Sequence, residues 1–323
     1  MYTRRDFGKL ALTALPAGHL IELAQSKPNS KVRGVMIGMN VPYNFGGRTA
    51  PVDEIIDKCV QLGVSGLELR TQPVEAFLGL PETLVTAAAG PGRGAKPTPE
   101  QQAARKSAVD DIRKWRTSVS MDKVKGLRKK FEDAGILIEI VKVDNIFGMS
   151  DEVVDYEFTL AKTLGARAIS TEITHIDPKA PPSGPLPEKR IGMFADKHNL
   201  MVGYHGHTET GPKEWEEVFS YARHNGANLD IGHFIAGNKT SPVPFLKQHH
   251  DRITHVHVKD KTFDNRNVPF GQGDTPIKEV LQLIRDNRWL IQATIEFEYE
   301  VPQGSDRMTE LKKCVDYCRA ALA

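Results

Sequence analysis

From residue 32 onward, short apolar or β-branched runs alternate along the chain with longer amphipathic stretches. This alternation is typical of repeated strand-helix units rather than of a β-sandwich or a helical bundle. The predicted strands cover residues 33–40, 65–71, 136–144, 166–173, 200–207, 227–233, 253–260 and 292–298. The predicted helices cover residues 52–63, 100–133, 151–164, 186–198, 213–224, 243–249, 276–286 and 306–322. Since a doubly wound sheet usually stops at about five to seven strands, this count predicts an α/β fold, a (β/α)₈ TIM barrel.

Residues 72–99 interrupt this rhythm after the second predicted strand. The stretch is rich in Pro, Gly and Ala and contains the run Gly-Pro-Gly-Arg-Gly at residues 90–94, so we predict a long loop. Loops of this kind at the C-terminal face of a barrel usually carry function or move. With the loop included, residues 31–323 are predicted to form a single barrel domain, because barrels of about 250 residues are common single domains.

The first 30 residues are predicted to be an export signal and linker rather than part of the fold. Residues 3–9 read Thr-Arg-Arg-Asp-Phe-Gly-Lys, and a mildly apolar stretch follows. This segment resembles a twin-arginine signal, with Arg4 and Arg5 at the paired positions. The apolar stretch is shorter than the roughly 20 residues that a bilayer requires, so we expect no permanent membrane span. The resemblance implies a periplasmic protein, and a plain basic tail is the alternative.

The charge balance narrows the range of expected ligands. The 323 residues contain 43 Lys and Arg against 41 Asp and Glu, a formal net charge of +2. This small charge gives no chain-wide attraction for a phosphate backbone, so we expect no nucleic-acid partner. Three cysteines, Cys59, Cys314 and Cys318, are too few for a disulfide framework. Cys314 and Cys318 are interpreted as packing residues on one helix face, and a redox or metal pair is the alternative.

Polar side chains gather in the second half of the predicted barrel. Eight of the eleven histidines lie between residues 205 and 257. In the predicted strand 253–260, alternation puts His255, His257 and Lys259 on one face and valines on the other. We expect the valines to face the helices and the histidines to face the barrel axis. Glu296 and Glu298 share one face of the last predicted strand in the same way, and the sequence leaves open which of the two is a metal ligand.

Four residues of ligand type recur at intervals of one strand-helix unit: His205, Asp230, His257 and Glu296. Each lies toward the C-terminal end of a predicted strand, so the four side chains are expected to converge at the barrel mouth. Imidazole and carboxylate ligands suit a single divalent ion such as Mn²⁺, Co²⁺, Zn²⁺ or Fe²⁺. Burying these groups without a cation would be unfavourable. The alternative is a polar barrel core in which the groups satisfy one another.

Several short motifs occur in an order that resembles the xylose-isomerase-like superfamily of sugar isomerases and epimerases. They are Tyr-His-x-His, Leu-Asp-x-x-His, His-x-His-x-Lys-Asp and a final strand ending in Ile-Glu. The resemblance covers about residues 32–323. It implies metal-ligand positions for Asp230, His257 and Glu296, and a position in contact with substrate for His233.

Two further residues are candidates for substrate binding. The segment 265–273 resembles the loop of ketose 3-epimerases whose arginine binds the sugar, which nominates Arg266; a solvated loop arginine is the alternative. His207 shares a face with His205 in the predicted strand 200–207 and is also expected to contact substrate.

The chain departs from the ketose 3-epimerases at one position. Those enzymes carry a glutamate on the fifth strand that binds metal and moves a proton, and this chain has His205 there. The symmetric pair of glutamate bases is therefore lost. Glu172 is the nearest candidate to replace the missing base, and a salt-bridged barrel carboxylate is the alternative.

Together these features predict a metal-dependent sugar isomerase or epimerase. A carboxylate, Glu296 or Glu172, removes a proton next to a metal-bound carbonyl, and Lys259 or His233 stabilises the resulting anion. Because sugar phosphates are held in the cytoplasm, an exported enzyme is expected to use a small free or oxidised sugar, including keto-sugars. The alternatives are a 3-keto-glycoside lyase or hydrolase on the same barrel and a non-catalytic periplasmic sugar-binding protein. An abasic-site endonuclease of this superfamily would need a basic groove that the net charge does not support.

Overall fold

The computed structural model describes residues 27–89, 98–174 and 186–323. Within them, eight strands pair in parallel, each with the next and the last with the first, which closes a barrel. The strands are β1 (Val35–Val41), β2 (Gly66–Arg70), β3 (Leu137–Lys142), β4 (Ala168–Glu172), β5 (Met201–His205), β6 (Asn225–Asp230), β7 (Ile253–Val258) and β8 (Gln292–Ile295). The predicted (β/α)₈ TIM barrel is confirmed.

Helices surround the barrel. They are α1 (Val52–Leu62), α2 (Thr71–Leu78), α3 (Glu82–Ala89), α4 (Pro99–Ser118), α5 (Met121–Asp133), α6 (Asp151–Leu164), α7 (Pro187–His198), α8 (Pro212–Tyr221), α9 (Ile231–Asn238), α10 (Val243–His249), α11 (Ile277–Asn287) and α12 (Arg307–Leu322). None of the helices in the described ranges is long and apolar enough to cross a membrane. The predicted export signal falls on residues 1–26, outside the described residues, and stays a prediction.

The predicted loop over residues 72–99 is wrong for residues 72–89, which contain most of α2 and all of α3. Alanine and leucine are strong helix formers, and the sequence prediction gave too much weight to the neighbouring Pro and Gly. Gly79 ends α2 with a positive φ of 97°, a conformation that glycine adopts without strain. The run at residues 90–94 lies outside the described residues. The predicted helix 100–133 is two helices, because Ser120 begins α5 as its N-cap and accepts a bond from the Asp122 backbone N–H.

The apolar core lies between the strands and the helices rather than inside the barrel. Outward-facing residues such as Leu67, Leu69, Val256 and Val258 are fully buried, and each buried side chain of this size contributes about 1.5–3 kcal/mol. Because this layer stabilises the barrel, its interior is free to be polar. The buried inward-facing residues include Asn40, Glu68, Lys142, Ser170, His205, Asn228, Asp230, His255, His257, Lys259, Gln292, Thr294 and Glu296.

Asp260 fixes the loop that follows β7. Its carboxylate accepts hydrogen bonds from the backbone N–H groups of Gly271 at 2.7 Å and Gly273 at 3.0 Å. Two short strands, Asp260–Lys261 and Asn267–Val268, pair antiparallel beside it. The last residue of the His-x-His-x-Lys-Asp motif therefore has a structural role, because Asp260 anchors the loop beside the barrel mouth.

A separate, largely buried cluster of Glu75, Arg116 and Glu157 lies between α2, α4 and α6. Arg116 donates two hydrogen bonds to Glu75, at 2.6 and 2.9 Å, while its Nη2 lies 3.8 Å from Glu157 Oε1. Neither carboxylate oxygen of Glu157 has a hydrogen-bond partner among the described residues. Burial and the Glu75 carboxylate raise the pKa of Glu157 to about 8, although Arg116 lowers it.

Glu157 is therefore expected to make the stability of the protein depend on pH. The pKa of Glu157 lies near its ordinary value of 4.5 in the unfolded chain and near 8 in the folded one. Between these values the folded state holds a proton that the unfolded state releases, so the free energy of unfolding falls as pH rises. The slope is at most about 1.4 kcal/mol per pH unit. Urea unfolding should show that Glu157→Gln flattens this slope and is more stable than wild type near pH 8; parallel profiles would contradict the assignment.

Candidate active site

Four ligand-type side chains meet at the C-terminal mouth of the barrel, and they are those that the spacing predicted: His205, Asp230, His257 and Glu296. His205 and Asp230 end β5 and β6, and Asp230 lies at the same level as His257 on the neighbouring strand. His205 Nε2 lies 3.4 Å from Asp230 Oδ2, and His257 Nδ1 lies 3.2 Å from Glu296 Oε2. One ligand atom from each of the four residues lies within 4.8 Å of the others.

This donor set fits a divalent ion. Nitrogen and oxygen ligands about 2.0–2.2 Å from a metal lie about 3–4 Å from one another, which matches the distances in the cluster. All four residues are buried. Among the described residues, His257 Nδ1 has no hydrogen-bond partner, as expected for an atom that is available to a ligand.

Lys259 carries a positive charge into the same cluster. Its Nζ lies 2.9 Å from Asp230 Oδ2, 2.6 Å from Glu296 Oε2 and 2.8 Å from Glu298 Oε2. Burial lowers the pKa of Lys259, but these three carboxylates outweigh it and hold the pKa well above the ordinary value. The ammonium group and a bound cation would therefore share the Asp230 and Glu296 oxygens. Lys259 Nζ also lies 3.1 Å from His233 Nε2.

The charges in the cluster set the protonation states of its ligands. Burial alone raises the pKa of Asp230, but Lys259 and His233 lower it below its ordinary range. Burial alone lowers the pKa of His257, but Glu296 and Glu68 raise it to about 10. An imidazole must be neutral to bind a metal, so loading an ion is expected to release a proton from His257.

Glu172 faces the same mouth from β4, beside His205 on the next strand. One of its oxygens accepts a bond from Lys142 Nζ at 2.6 Å, and the other lies 2.9 Å from His205 Nδ1. Burial raises the pKa of Glu172, yet Lys142 and His205 hold it well below the ordinary value. Both oxygens are therefore engaged, which matches the alternative of a salt-bridged carboxylate, while the role of Glu172 as a base stays a prediction.

The two remaining substrate candidates differ in position. His207 is about half exposed, and its ring centroid lies 4.7 Å from that of His205 and 4.9 Å from that of His233, so it lines the entrance. Arg266 is not brought into the site. Its side chain is 69% exposed and bonds Asp264 Oδ2 at 2.9 Å, as the alternative of a solvated loop arginine describes.

Sequence reasoning missed several residues that complete the site. Glu68 on β2 lies 2.6 Å from His257 Nε2, and Asn40 on β1 donates to Glu296 Oε1 at 3.0 Å. Tyr43 donates to Glu298 Oε1 at 3.1 Å. The signal for Glu68 was present in Gly-Leu-Glu-Leu-Arg, where it alternates with two leucines and must face the axis.

A cavity adjoins the cluster on the side of Glu298. Its volume is about 480 Å³, and its lining includes Tyr43, Arg48, Asn267, Glu298 and Arg307. Cavities of about 300–1,000 Å³ accommodate small organic ligands, so a molecule of sugar size has room beside Glu298, whose Oε2 lies 2.8 Å from Lys259 Nζ.

Comparisons with known proteins match parts of this chain. Residues 189–321 match a family model described as xylose isomerase-like TIM barrel. The chain is 27% identical over 128 residues to an inosose dehydratase of Clostridium tetani, covering 32% of this chain and 43% of that protein. It is 33% identical over 76 residues to an inosose dehydratase of Clostridium botulinum, covering 22% and 25%. The matches span less than half the length of these relatives.

Solved structures resemble the chain over most of its length. A probable 3-DHS dehydratase from Bacillus anthracis matches with a TM-score of 0.58 and 16% identity, covering 87% of this chain and 98% of that one. A D-psicose 3-epimerase matches with a TM-score of 0.53 and 15% identity, covering 89% and 97%. A xylose isomerase domain protein from Alicyclobacillus acidocaldarius matches with a TM-score of 0.56 and 11% identity, covering 89% and 99%. These folds agree with the TIM barrel of this chain, and the xylose isomerase-like family model matches its C-terminal part, residues 189–321.

Proposed function

We propose that the protein is a metal-dependent enzyme that removes a proton next to the carbonyl group of a small polyhydroxy ketone. The observation that carries the proposal is the convergence of His205, Asp230, His257 and Glu296 around the Lys259 ammonium at the barrel mouth. These four residues would hold one divalent ion, and two imidazoles with two carboxylates suit Mn²⁺, Co²⁺, Zn²⁺ or Fe²⁺. When bound, such an ion supplies a Lewis acid that polarises a carbonyl group.

Glu296 is the carboxylate best placed to accept the proton. Asn40 donates a hydrogen bond to its Oε1, while its Oε2 faces the cluster 3.2 Å from His257 Nδ1. Lys259 Nζ lies 2.6 Å from that oxygen. Its positive charge would stabilise the negative charge that forms on the substrate oxygen as the C–H bond breaks.

The contacts of Glu172 favour elimination over epimerisation. Inverting a carbon centre requires proton-transfer groups on both faces of the substrate, and Glu172, the candidate for the second face, is bonded to Lys142 and lies against His205. With Glu296 as the only proposed base, the electron pair left by the proton forms a C=C bond and expels a hydroxyl or glycosyloxy group from the next carbon. Lys259 or His233 would protonate the leaving oxygen. The inosose dehydratase relatives, which match 22–32% of the chain, support this outcome.

We therefore place a lyase acting on a keto-cyclitol or 3-keto-glycoside first, and an isomerase or epimerase second. The second candidate retains support from His207, which is half exposed beside His205 and would be free to serve the opposite face of a substrate. The twin-arginine resemblance of residues 3–9 supports a periplasmic location, which fractionation of cells expressing the full chain would check.

Paired glutamine variants test the assignment of the base. At saturating divalent ion, Glu296→Gln is expected to reduce deuterium exchange into keto-sugars, or product formation, by about 10²–10⁴-fold, as loss of a general base does. Glu172→Gln is expected to keep most of the activity, and the exposed Glu279→Gln serves as the control. If Glu172→Gln binds its ion but loses exchange to the same extent as Glu296→Gln, two bases operate and the epimerase is favoured.

A further inference from the structure

The two histidines of the cluster face it with different ring nitrogens. His205 turns Nε2 toward Asp230, at 3.4 Å. His257 turns Nδ1 toward Glu296, at 3.2 Å. A neutral imidazole binds a metal through the nitrogen that lacks a proton. The site therefore needs opposite tautomers at its two histidines, with the proton on Nδ1 of His205 and on Nε2 of His257.

In both histidines, the ring nitrogen that faces away from the cluster lies close to a carboxylate. Glu172 Oε2 lies 2.9 Å from His205 Nδ1, and Glu68 Oε2 lies 2.6 Å from His257 Nε2. An ionised carboxylate only accepts hydrogen bonds, so each of these nitrogens must carry the proton. Both lone pairs then point into the cluster, although the two rings use different atoms.

Glu68 reaches His257 from the opposite side of the barrel. It lies on β2, whose neighbours are β1 and β3, whereas His257 lies on β7 between β6 and β8. Glu68 is fully buried. Its other close group among the described residues is His255, whose Nε2 lies 3.5 Å away. A buried carboxylate is costly without a charged or hydrogen-bonding partner, so this position is best explained by what it does to His257.

A neighbouring amide offers a weaker, competing contact. Asn228 Nδ2 lies 3.0 Å from the same His257 Nε2, while Asn228 Oδ1 has no partner among the described residues. A charged acceptor at 2.6 Å forms a stronger bond than a neutral amide donor, so Glu68 determines the tautomer. Turning the Asn228 amide end for end would bring its oxygen to the N–H, and Ser170 Oγ would then donate to that oxygen.

We infer that Glu68 is a positioning residue that holds the proton of His257 on Nε2 and so directs the Nδ1 lone pair to the divalent ion. The inference rests on the proposed function, because it concerns the same metal centre. Carboxylates behind ligating histidines fix the ring and raise its basicity, and their loss typically costs about 10–100-fold in metal affinity. Glu68 is not one of the four residues proposed to hold the ion, so it would act on the ion through His257.

The test measures metal binding without substrate. Zn²⁺ or Co²⁺ affinity is determined by competition with a chromophoric chelator for wild type, Glu68→Gln and Glu310→Gln. Glu310 is a buried carboxylate on α12 that accepts a bond from the Tyr299 hydroxyl at 2.9 Å, so its variant controls for the loss of a buried charge. We expect affinity to fall about 10–100-fold for Glu68→Gln and to stay within about threefold for Glu310→Gln. Equal affinities for wild type and Glu68→Gln would overturn the inference.

A measurement on wild type remains decisive if Glu68→Gln does not fold. Long-range ¹H–¹⁵N NMR of the Zn²⁺-loaded protein is expected to find the proton on Nε2 of His257 and on Nδ1 of His205. A proton on Nδ1 of His257 in that spectrum would contradict the role of Glu68. Wild type that binds no divalent ion would instead contradict the proposed metal centre, so the two failures are distinguishable.

Discussion

Replacing Asp230 by Asn is expected to remove the divalent ion and abolish turnover while the barrel stays folded. Asp230 is fully buried, and its Oδ2 lies near His205 and Lys259. Its Oδ1 accepts a bond from the His233 backbone N–H at 2.8 Å and caps α9. An asparagine oxygen keeps this cap, but the neutral amide is a far weaker ligand. Metal affinity should therefore fall by more than roughly 100-fold, which is the loss expected when a residue that only bonds a metal ligand is removed.

Elemental analysis and turnover check the Asp230→Asn variant, with Asp264→Asn as the matched control. Asp264 is 66% exposed and pairs with Arg266, so its variant should keep wild-type metal content and turnover. Wild-type metal occupancy in Asp230→Asn would exclude Asp230 as a ligand. A circular dichroism spectrum that matches wild type separates loss of metal from loss of fold.

Replacing Lys259 by Met is expected to make stability strongly dependent on metal. The ammonium group lies within 2.9 Å of Asp230, Glu296 and Glu298. Removing one partner of a buried ion pair costs about 3–5 kcal/mol, so the metal-free variant should lose about that much free energy of unfolding. A divalent ion held by Asp230 and Glu296 would supply positive charge to two of the three carboxylates. Binding of the ion should therefore raise the free energy of unfolding more for the variant than for wild type.

Lys142→Met is the control for this effect. Lys142 is equally buried but bonds Glu172, away from the Asp230 and Glu296 oxygens, so its loss should lower stability without enlarging the gain from metal. Denaturant unfolding with and without the ion compares the two variants. Turnover of Lys259→Met should fall about 10²–10³-fold, the typical effect of losing a group that stabilises a transition-state anion. An equal gain from metal in both variants would contradict the placement of Lys259 among the ligands.

The sequence predicted the barrel well because its signals are local. Each strand has an outward apolar face, as in Val256 and Val258, and each helix has an apolar stripe, so alternation locates them without knowledge of their partners. The four cluster residues were found for a related reason. Parallel strands all end at the same face of a barrel, so ligand-type residues at the ends of consecutive strands must lie near one another.

Contacts across the barrel axis could not be predicted in this way. Glu68 and His257 are 189 positions apart on strands that are not neighbours, and no local pattern pairs them. Asn40 and Glu296 are 256 positions apart, and their strands become neighbours only when the last strand pairs with the first to close the barrel. Arg266 as a substrate-binding residue stays a prediction. Its side chain pairs with Asp264, two positions away, and a loop motif does not reveal where a side chain points.

The most direct test of the metal-dependent enolisation is solvent deuterium exchange by wild-type protein stripped of metal and then reloaded. Keto-cyclitols and keto-sugars are incubated in D₂O, and NMR follows deuterium at the carbon next to the carbonyl together with any elimination product. Exchange or elimination is expected only after reloading and in proportion to bound metal, up to a single ion per chain. Full activity in metal-free protein, or a fully loaded protein that yields neither exchange nor product with any of these ketones, would contradict the account.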